Sequence, residues 1–597
     1  MRFHWHLRRV ALFVAIIGAG LASRGLHAEA PKPQGIPIDD PLVIQKCSGC
    51  HRRDANGMMS RLSYIRTTPE VWEQAIKRMV RLNGLSITAP EVRDILRYLS
   101  ANNGLAPEEA KAGFFEVEHR TVGYQDEFTP HPALHTVCDQ CHSIGRVLAQ
   151  RRTREDYEKL VAMHMGLFPV AATVYRPQPP RAVSDVNAPA HQLETSTGGV
   201  SIDFQKVAAP PAEAKYPVDG ALDYLASAQP LITPEWTAWR AAMRPQKLAG
   251  TWLVSGYQPG KGKIYGQVII TQGAADDQFT TSIQFSYVLS GATVKTNGKG
   301  IVYTGYSWRG HAGAASAPVH PATSTAIPTE WREAMMMSRD GNTMNGRWFW
   351  GGLGELGIDV HLTRAGGEPV VLGTDLPALR SPSKATVKIY GANFPSSLKS
   401  ADIDFGNGIT VTKIVGANAS LITAEVDVAK GLPVGMHDVA IGHASAKGAL
   451  AVYDKIAYIQ VEPDAQISRL GGVKWPKEYA QFEAVAYAAG PDGKPDSDVP
   501  LGMVPARWAL EEFVSTPDDD DVKYVGALDD TGLFTPNLEG PNPQRKKQAN
   551  NFPVENYGDV WVVATYKSPD GAELKAKSYL VVTVPIYTIY DQPEVGQ

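Results

Sequence analysis

All four cysteines of this 597-residue chain lie in two copies of one short motif. The first copy is CSGCH, from Cys47 to His51, and the second is CDQCH, from Cys138 to His142. C-x-x-C-H is the attachment signature of a c-type haem. On a helical turn, residues at i, i+3 and i+4 share one face, so two cysteines can reach the porphyrin's vinyl groups while the histidine points at the iron. The motifs therefore predict a chain built around two covalent haems.

Three other uses of the cysteine pairs stay open at this point. A thioredoxin-like site would want a βαβ context, whereas polar, helix-prone sequence follows each pair. A zinc site built from both pairs would not need a histidine after each one. Disulfides within a pair would be tight, although exported proteins often form them. The predicted attachment residues are Cys47, Cys50, Cys138 and Cys141, and the predicted proximal iron ligands are His51 and His142.

Each iron needs a sixth ligand or an open site, and similar amphipathic segments follow the two motifs. Each segment begins after a threonine and has an acidic first turn, and aligning them brings Met79 opposite His164. We therefore predict His/Met ligation at the first haem and bis-histidine ligation at the second. Met79 as an ordinary buried residue, and Met163 or Met165 in place of His164, are the open alternatives.

Histidine/methionine ligation raises a haem's potential, so the first haem is predicted to have the higher one. The remaining histidines of this region are predicted to be loop or propionate-contact residues: His119, His131 and His135.

The N-terminal residues have the pattern of a secretory signal peptide. Arg8 and Arg9 precede the apolar stretch VALFVAIIGAGLA, and the sequence from Ala28 to Ala30 fits a cleavage site. A membrane anchor is the alternative, but this stretch is short for a membrane span. We predict that residues 1–30 are a signal peptide and that the mature chain is exported. The net charge of -4 and the scattered lysines and arginines argue against nucleic-acid binding.

The pattern changes from helical to strand-forming after about residue 245. The predicted fold is a mainly α dihaem cytochrome c domain followed by an all-β barrel and two immunoglobulin-like β-sandwiches. The predicted domains are 31–245 with two haem-binding halves, 246–366 for the barrel, and 367–463 and 464–597 for the sandwiches. Smaller predictions are an extended loop at Tyr175–Pro217, loop or core roles for His311, His320 and Met335–Met337, and a solvated loop at Asp518–Asp521.

This order of domains resembles the alpha subunit of quinohaemoprotein amine dehydrogenase. The resemblance runs from the CSGCH and CDQCH sites through GTWLVSGYQPGKGKIYG and YGANFPSSL to GDVWVVATYK. It implies a periplasmic enzyme that oxidises primary amines to aldehyde and ammonia. It also implies a heterotrimer with a β-propeller subunit and a small subunit that carries cysteine tryptophylquinone.

In that arrangement this chain would relay electrons from the quinone through two haems to a soluble carrier, such as a blue copper protein or a small cytochrome c. The quinone and the catalytic base would lie on another chain, so no catalytic residue is predicted here. Two alternatives remain: a self-contained dihaem peroxidase, which needs an open iron site, and a dihaem carrier whose β domains bind a partner.

Overall fold

The computed structural model describes residues 35–120, 131–176, 216–313, 328–514, 519–546 and 553–585, together with the backbone of two short strands between 193 and 201. The predicted signal peptide, most of the predicted loop Tyr175–Pro217, His320 and Asp518 lie outside the described residues. No helix in the described part of the chain is long and apolar enough to cross a membrane.

The N-terminal region is helical and consists of two halves. The first half contains α1 (Pro41–Cys47), β1 (Ile65–Thr67), α2 (Pro69–Asn83) and α3 (Ala89–Asn102). Two short helices follow it, α4 (Pro107–Lys111) and α5 (Phe114–Val117). The second half contains α6 (Pro132–Val137), α7 (Gly145–Leu148), β2 (Gln150–Arg152), α8 (Arg154–Leu167), α9 (Ala171–Tyr175), the paired strands β3 (Leu193–Glu194) and β4 (Val200–Ser201), α10 (Pro217–Ala228) and α11 (Pro234–Ala242).

Local sequence explains why α3 forms between Ala89 and Asn102. The carboxylate of Glu91 accepts a hydrogen bond of 2.8 Å from the backbone N–H of Thr88, which closes a capping box at the N-terminus. Ile95, Leu96 and Leu99 are buried against the first half's core. The helix ends before Asn103, as the Asn-Asn-Gly signal predicts.

The two halves meet through a small antiparallel pair of strands. In this pair β1 lies against β2, and Arg66 is directly opposite Arg151. Each strand leads through one threonine, Thr68 or Thr153, into the helix that was predicted to carry a distal ligand. The strand pair therefore relates the two halves by an approximate two-fold rotation.

A closed eight-stranded antiparallel barrel follows, which confirms that prediction. Neighbouring strands pair in chain order, and the last one pairs back onto the first. The strands are β5 (Gly250–Gln258), β6 (Gly262–Gln272), β7 (Gln278–Tyr287), β8 (Thr293–Tyr303), β9 (Ser307–Ala312), β10 (Trp331–Met337), β11 (Thr343–Trp350) and β12 (Leu356–Arg364).

Aromatic side chains fill the barrel interior. The indoles of Trp331 and Trp348 stack with their centroids 5.5 Å apart. Glu333 lies among these rings and accepts hydrogen bonds from the indole N–H of Trp308, at 2.7 Å, and of Trp331, at 3.2 Å. Burial raises the pKa of Glu333 to about 7, even though both indole bonds favour the ionised form.

The methionines of the barrel have the predicted core role, whereas His311 lies in strand β9 and is half-buried rather than in a loop or the core. Met335 and Met337 pack in this apolar core. His311 contacts the carboxylate of Glu330 at 2.6 Å.

The barrel supports the first helical half. Tyr303 joins the apolar core of that half. Arg309 and Glu70 form a fully buried ion pair of 2.5 Å between barrel and helix α2. Arg97 and Asp277 make a second, bidentate contact with both distances at 2.7 Å. Because buried and bidentate pairs are geometrically demanding, these contacts hold the half in one orientation.

Two further β regions complete the described chain. In the first, two four-stranded sheets enclose one apolar core. Its strands are β13 (Val370–Thr374), β14 (Ala378–Arg380), β15 (Ser383–Ala392), β16 (Ile403–Asp404), β17 (Ile409–Ala417), β18 (Leu421–Val428), β19 (Gly435–Ile441) and β20 (Ala444–Tyr453). This is a two-layer β arrangement, and the assignment to the immunoglobulin-like class stays a prediction.

The last region packs several small sheets around another core. Its strands are β21 (Tyr458–Glu462), β22 (Ala465–Arg469), β23 (Ala480–Gln481), β24 (Glu483–Ala488), β25 (Val499–Val504), β26 (Arg507–Glu512), β27 (Gly526–Leu528), β28 (Leu533–Pro536), β29 (Asn542–Lys546), β30 (Pro553–Val554), β31 (Gly558–Lys567) and β32 (Glu573–Thr583). The prediction of a solvated acidic loop is wrong for Asp521. That side chain is buried, pairs with Arg545 and accepts a hydrogen bond of 2.9 Å from the backbone N–H of Asp559.

Candidate haem-binding sites

Each C-x-x-C-H motif begins at the end of a short helix. Helix α1 ends at Cys47, and the backbone N–H of His51 donates to the carbonyl of Cys47 at 2.8 Å, which keeps the first motif in one helical turn. Helix α6 ends at Val137, and the second motif continues in bends rather than in the expected helical turn. The first motif therefore has the predicted conformation, and the second has it only up to Cys138.

The four cysteines differ in exposure and share the absence of a disulfide within the described residues. All four lie in described residues, and none forms a disulfide. The first cysteine of each pair is half-buried and the second is exposed. Burial raises the pKa of Cys138 to about 12 and also raises the pKa of Cys47, so both thiols are protonated and unreactive as nucleophiles near neutral pH.

A zinc site made from both pairs finds no support. Among the described residues, the one cluster of potential metal ligands consists of Glu512, Asp519 and Asp521, without any cysteine.

The three predicted histidine ligands share one hydrogen-bonding pattern. The Nδ1 atoms of His51, His142 and His164 lie 3.0, 2.8 and 2.9 Å from the backbone carbonyls of Ser60, Ser143 and Leu160, respectively. A carbonyl can only accept, so Nδ1 carries the proton and Nε2 keeps its lone pair. This is the arrangement that orients an imidazole for binding a metal through Nε2.

Burial lowers the pKa of all three histidines. The rings therefore stay neutral, which is the form that coordinates a metal ion.

The helices α2 and α8 present their predicted ligands at equivalent positions. In α2, Trp72 and Ile76 are buried and Met79 continues the same face three residues later. In α8, Tyr157 and Val161 are buried and His164 continues that face. Met79 and His164 therefore occupy equivalent positions on the two helices, as the sequence alignment predicts.

The structure brings His164 close to the second motif. Its ring lies 6.0 Å from the ring of Tyr175, measured between centroids. Burial raises the pKa of Tyr175 to about 12, and the nearby charges of Cys138 and Cys141 add to that shift. His142 and His164 lie within electrostatic reach of each other. The ring contact places His164 beside Tyr175 of α9, and the assembly of the second site stays a prediction.

The apolar core of the first half links the first motif to helix α2. Cys47 packs against the cluster that contains Trp72 and Ile76, so the face of α2 that carries Met79 turns toward the first motif. The Met79 sulfur lies 3.7 Å from the side-chain amide nitrogen of Asn83.

Of the alternative ligands in the second half, Met165 packs into that half's own apolar core and Met163 is half-buried.

The other histidines of the region have structural contacts. His119 Nδ1 lies 2.8 Å from the carbonyl of Leu353 in the barrel. His131 caps α6 by accepting a bond from the backbone N–H of Ala133. His135 contacts Asp139 at 2.8 Å.

Sequence reasoning missed a group of arginines between the two sites. Arg61 and Arg152 both pair with one carboxylate, that of Asp156. The guanidinium of Arg78 has a buried Nε without a hydrogen-bond partner. We call Arg61, Arg78 and Arg152 the arginine cluster. Little in the sequence indicates this group. An arginine on an amphipathic helix such as α2 looks the same in sequence whether it faces the protein interior or solvent.

The residues present fit two c-type haems. Each half supplies two thiols, an imidazole with a free Nε2 and a second candidate ligand on a buried helix face. The Arg78 Nε, buried without a hydrogen bond within the described residues, also suits a group that carries carboxylates.

Comparison with solved structures adds little. Matches include a redesigned β-barrel (13% identity, TM-score 0.16, covering 20% of this chain and 92% of that one) and mouse cadherin-23 EC22-24 (11% identity, TM-score 0.14, covering 57% and 89%). At these TM-scores they carry no argument about fold or function. No curated protein matches the chain.

Comparison with family models is decisive. The haem-binding domain of the quinohemoprotein amine dehydrogenase alpha subunit matches residues 38–176. Domains II, III and IV of the same subunit match residues 245–365, 368–454 and 459–595. The four models follow one another in order and cover most of the chain. The chain belongs to the family of quinohemoprotein amine dehydrogenase alpha subunits.

Proposed function

We propose that this chain is the electron-transfer subunit of a periplasmic amine dehydrogenase, exported by the signal peptide at residues 1–30. Its two halves hold one covalent haem c each, through Cys47 and Cys50 and through Cys138 and Cys141. Family membership supports the activity. The observation that carries the haem assignment is the shared Nδ1–carbonyl hydrogen bond, which leaves Nε2 of His51 and His142 free for iron.

The reaction delivers two electrons, which one-electron couples accept one at a time. Oxidation of a primary amine, R–CH2–NH2 + H2O → R–CHO + NH3 + 2 H⁺ + 2 e⁻, releases two electrons together. We propose that a cysteine tryptophylquinone on a small partner subunit takes both electrons and that a third, β-propeller subunit completes a heterotrimer. Each haem, when bound, supplies a one-electron couple. The external acceptor is a soluble carrier such as a blue copper protein or a small cytochrome c.

This chain's own residues then have binding and orienting roles. The backbone carbonyls of Ser60 and Ser143 hold the proximal imidazoles in one tautomer. Met79 and His164 are the proposed distal ligands. The barrel holds the first half through the buried Arg309–Glu70 pair and the half-buried Arg97–Asp277 pair. The proposed domains 246–366, 367–463 and 464–597 serve as scaffold for partner subunits. The substrate-attacking chemistry is assigned to another chain.

The test uses the complex purified from the periplasm of its native host. A primary amine is added under anaerobic conditions and the haem absorption bands are followed, with a tertiary amine as the matched control. We expect reduction by the primary amine only, together with a small co-purifying subunit that stains for quinone. Haems that respond to dithionite but not to amines, in a chain purified alone, would leave a dihaem carrier. A high-spin iron that reacts with peroxide would favour a peroxidase instead.

A further inference from the structure

Two aromatic side chains flank the imidazole of His164 in the second half. The ring of Phe168, at the C-terminal end of α8, lies 6.2 Å from the imidazole between centroids, and the two planes are tilted by 49°. The ring of Tyr175, in helix α9, lies 6.0 Å away with a tilt of 56°. Aromatic rings attract one another at centroid distances of about 4.5–7 Å, so His164 contacts one ring from the end of its own helix and one from the next.

A hydrogen bond holds the same imidazole at a third point. Nδ1 of His164 donates to the backbone carbonyl of Leu160 at 2.9 Å, one turn earlier in α8. This bond selects the tautomer, but the χ2 torsion of histidine has broad energy wells, so one hydrogen bond sets the tilt of the ring only loosely. The rings of Phe168 and Tyr175 restrict that tilt. The three contacts together define the plane of the imidazole.

The two flanking rings are held in place to different degrees. Tyr175 packs against the apolar core of the second half, as Leu160 does. Phe168 is 50% exposed, and its backbone N–H donates to the carbonyl of His164 at 2.8 Å, so the two residues belong to one turn. Tyr175 is therefore the more firmly held of the two contacts.

We propose that Phe168 and Tyr175 form an aromatic clamp, which fixes the plane of the His164 imidazole as an axial ligand of the second haem. The inference rests on the proposed function, because it requires His164 to bind iron through Nε2. Both are positioning residues, which act through His164. Groups packed around a metal ligand orient it and tune the metal, and a ligand fixed in one orientation suits a site that gains and loses an electron without rearrangement.

The test is electron paramagnetic resonance of the oxidised holoprotein, because the largest g value of a low-spin ferric haem depends on the angle between its two axial imidazole planes. The variants are Tyr175→Leu and Phe168→Leu, which each remove one ring, and Tyr175→Phe, which keeps the ring. Tyr224→Leu is the matched control, because Tyr224 packs in the same core but stacks on His131, with centroids 4.3 Å apart. Phe168→Leu also serves if Tyr175→Leu does not accumulate, since Phe168 is half exposed.

We expect Tyr175→Leu and Phe168→Leu to shift and broaden the largest g value of the bis-histidine signal, with the larger shift for Tyr175→Leu. Tyr175→Phe should match the wild type, because the ring contact remains. Tyr224→Leu should lower the melting temperature and leave the signal in place. An unmoved signal in both leucine variants of the clamp, or an equal shift in Tyr224→Leu, would overturn the inference. A wild-type protein without a bis-histidine signal would instead refute the proposed ligation by His164.

Discussion

Arg66 and Arg151 face each other in the strand pair that joins the two halves, and both contact the carboxylate of Glu109. The Arg66 guanidinium is fully buried and forms a bidentate pair with Glu109 at 2.6 and 2.7 Å. Arg151 approaches the same carboxylate to 3.5 Å. A single acidic residue of α4 therefore pairs with an arginine from each half at the strand contact between them.

The first prediction concerns Glu109→Gln. Removing this charge leaves the buried Arg66 without a counter-ion, so we expect a loss of about 3–5 kcal/mol in the free energy of unfolding. Urea denaturation followed by circular dichroism measures it. The matched control is Glu108→Gln: that neighbour pairs with Arg339 at the surface, so its loss should stay below about 1 kcal/mol. Equal losses for the two variants would contradict a neutralising role for Glu109.

The second prediction concerns the distal ligand of the first haem. Met79→Leu conserves apolar volume but removes the sulfur, so we expect one haem to lose its methionine absorption band and its potential to fall. A redox titration with optical detection measures both. Val80→Ala, at the next and exposed position, is the control and should change neither. If Met79→Leu left both potentials unchanged, Met79 would be an ordinary core residue.

The third prediction separates the candidate ligands of the second haem. His164→Ala should abolish the bis-histidine signal in electron paramagnetic resonance, because it removes the imidazole whose Nδ1 is held by Leu160. Met163→Leu and Met165→Leu should leave that signal intact. Loss of the wild-type signal in either methionine variant would move the ligand away from His164.

The fourth prediction is a pH dependence of stability that originates in the barrel. The pKa of Glu333 rises from 4.5 to about 7 on folding because the carboxyl is buried. Between these values the folded state binds a proton that the unfolded state has released, so the free energy of unfolding falls as pH rises. It then levels off above pH 7. The contribution is about 3 kcal/mol.

Glu333→Gln removes this titration. The variant and the wild type should have similar stability at pH 5, and the variant should be the more stable protein at pH 8. Denaturation followed by tryptophan fluorescence reports on this region, because Trp308 and Trp331 contact the side chain directly. A variant that lost the same stability as the wild type over this pH range would show that Glu333 does not titrate.

Features that depend only on residues close together in the chain were predictable from the sequence. The C-x-x-C-H motifs, the capped helix Ala89–Asn102 and the strands Gly558–Lys567 and Glu573–Thr583 each depend on neighbouring residues. The closed barrel was predictable because alternating strands with glycine turns favour pairing between neighbours in the chain. The equivalence of Met79 and His164 was visible as well, since both halves repeat the same helical spacing.

Contacts between residues far apart in the chain were decided only by the tertiary structure. Nothing in the local pattern shows that Arg66 meets Arg151, that Asp521 is buried against Arg545, or that the Arg78 Nε is buried without a hydrogen bond within the described residues. These contacts depend on how the two halves and the several sheets pack against one another. A charged residue on an amphipathic segment looks the same in sequence whether it faces solvent or an interface. The sequence by itself determined the two C-x-x-C-H motifs and the helical spacing that follows each of them, and the packing decided which charged residues are buried against one another.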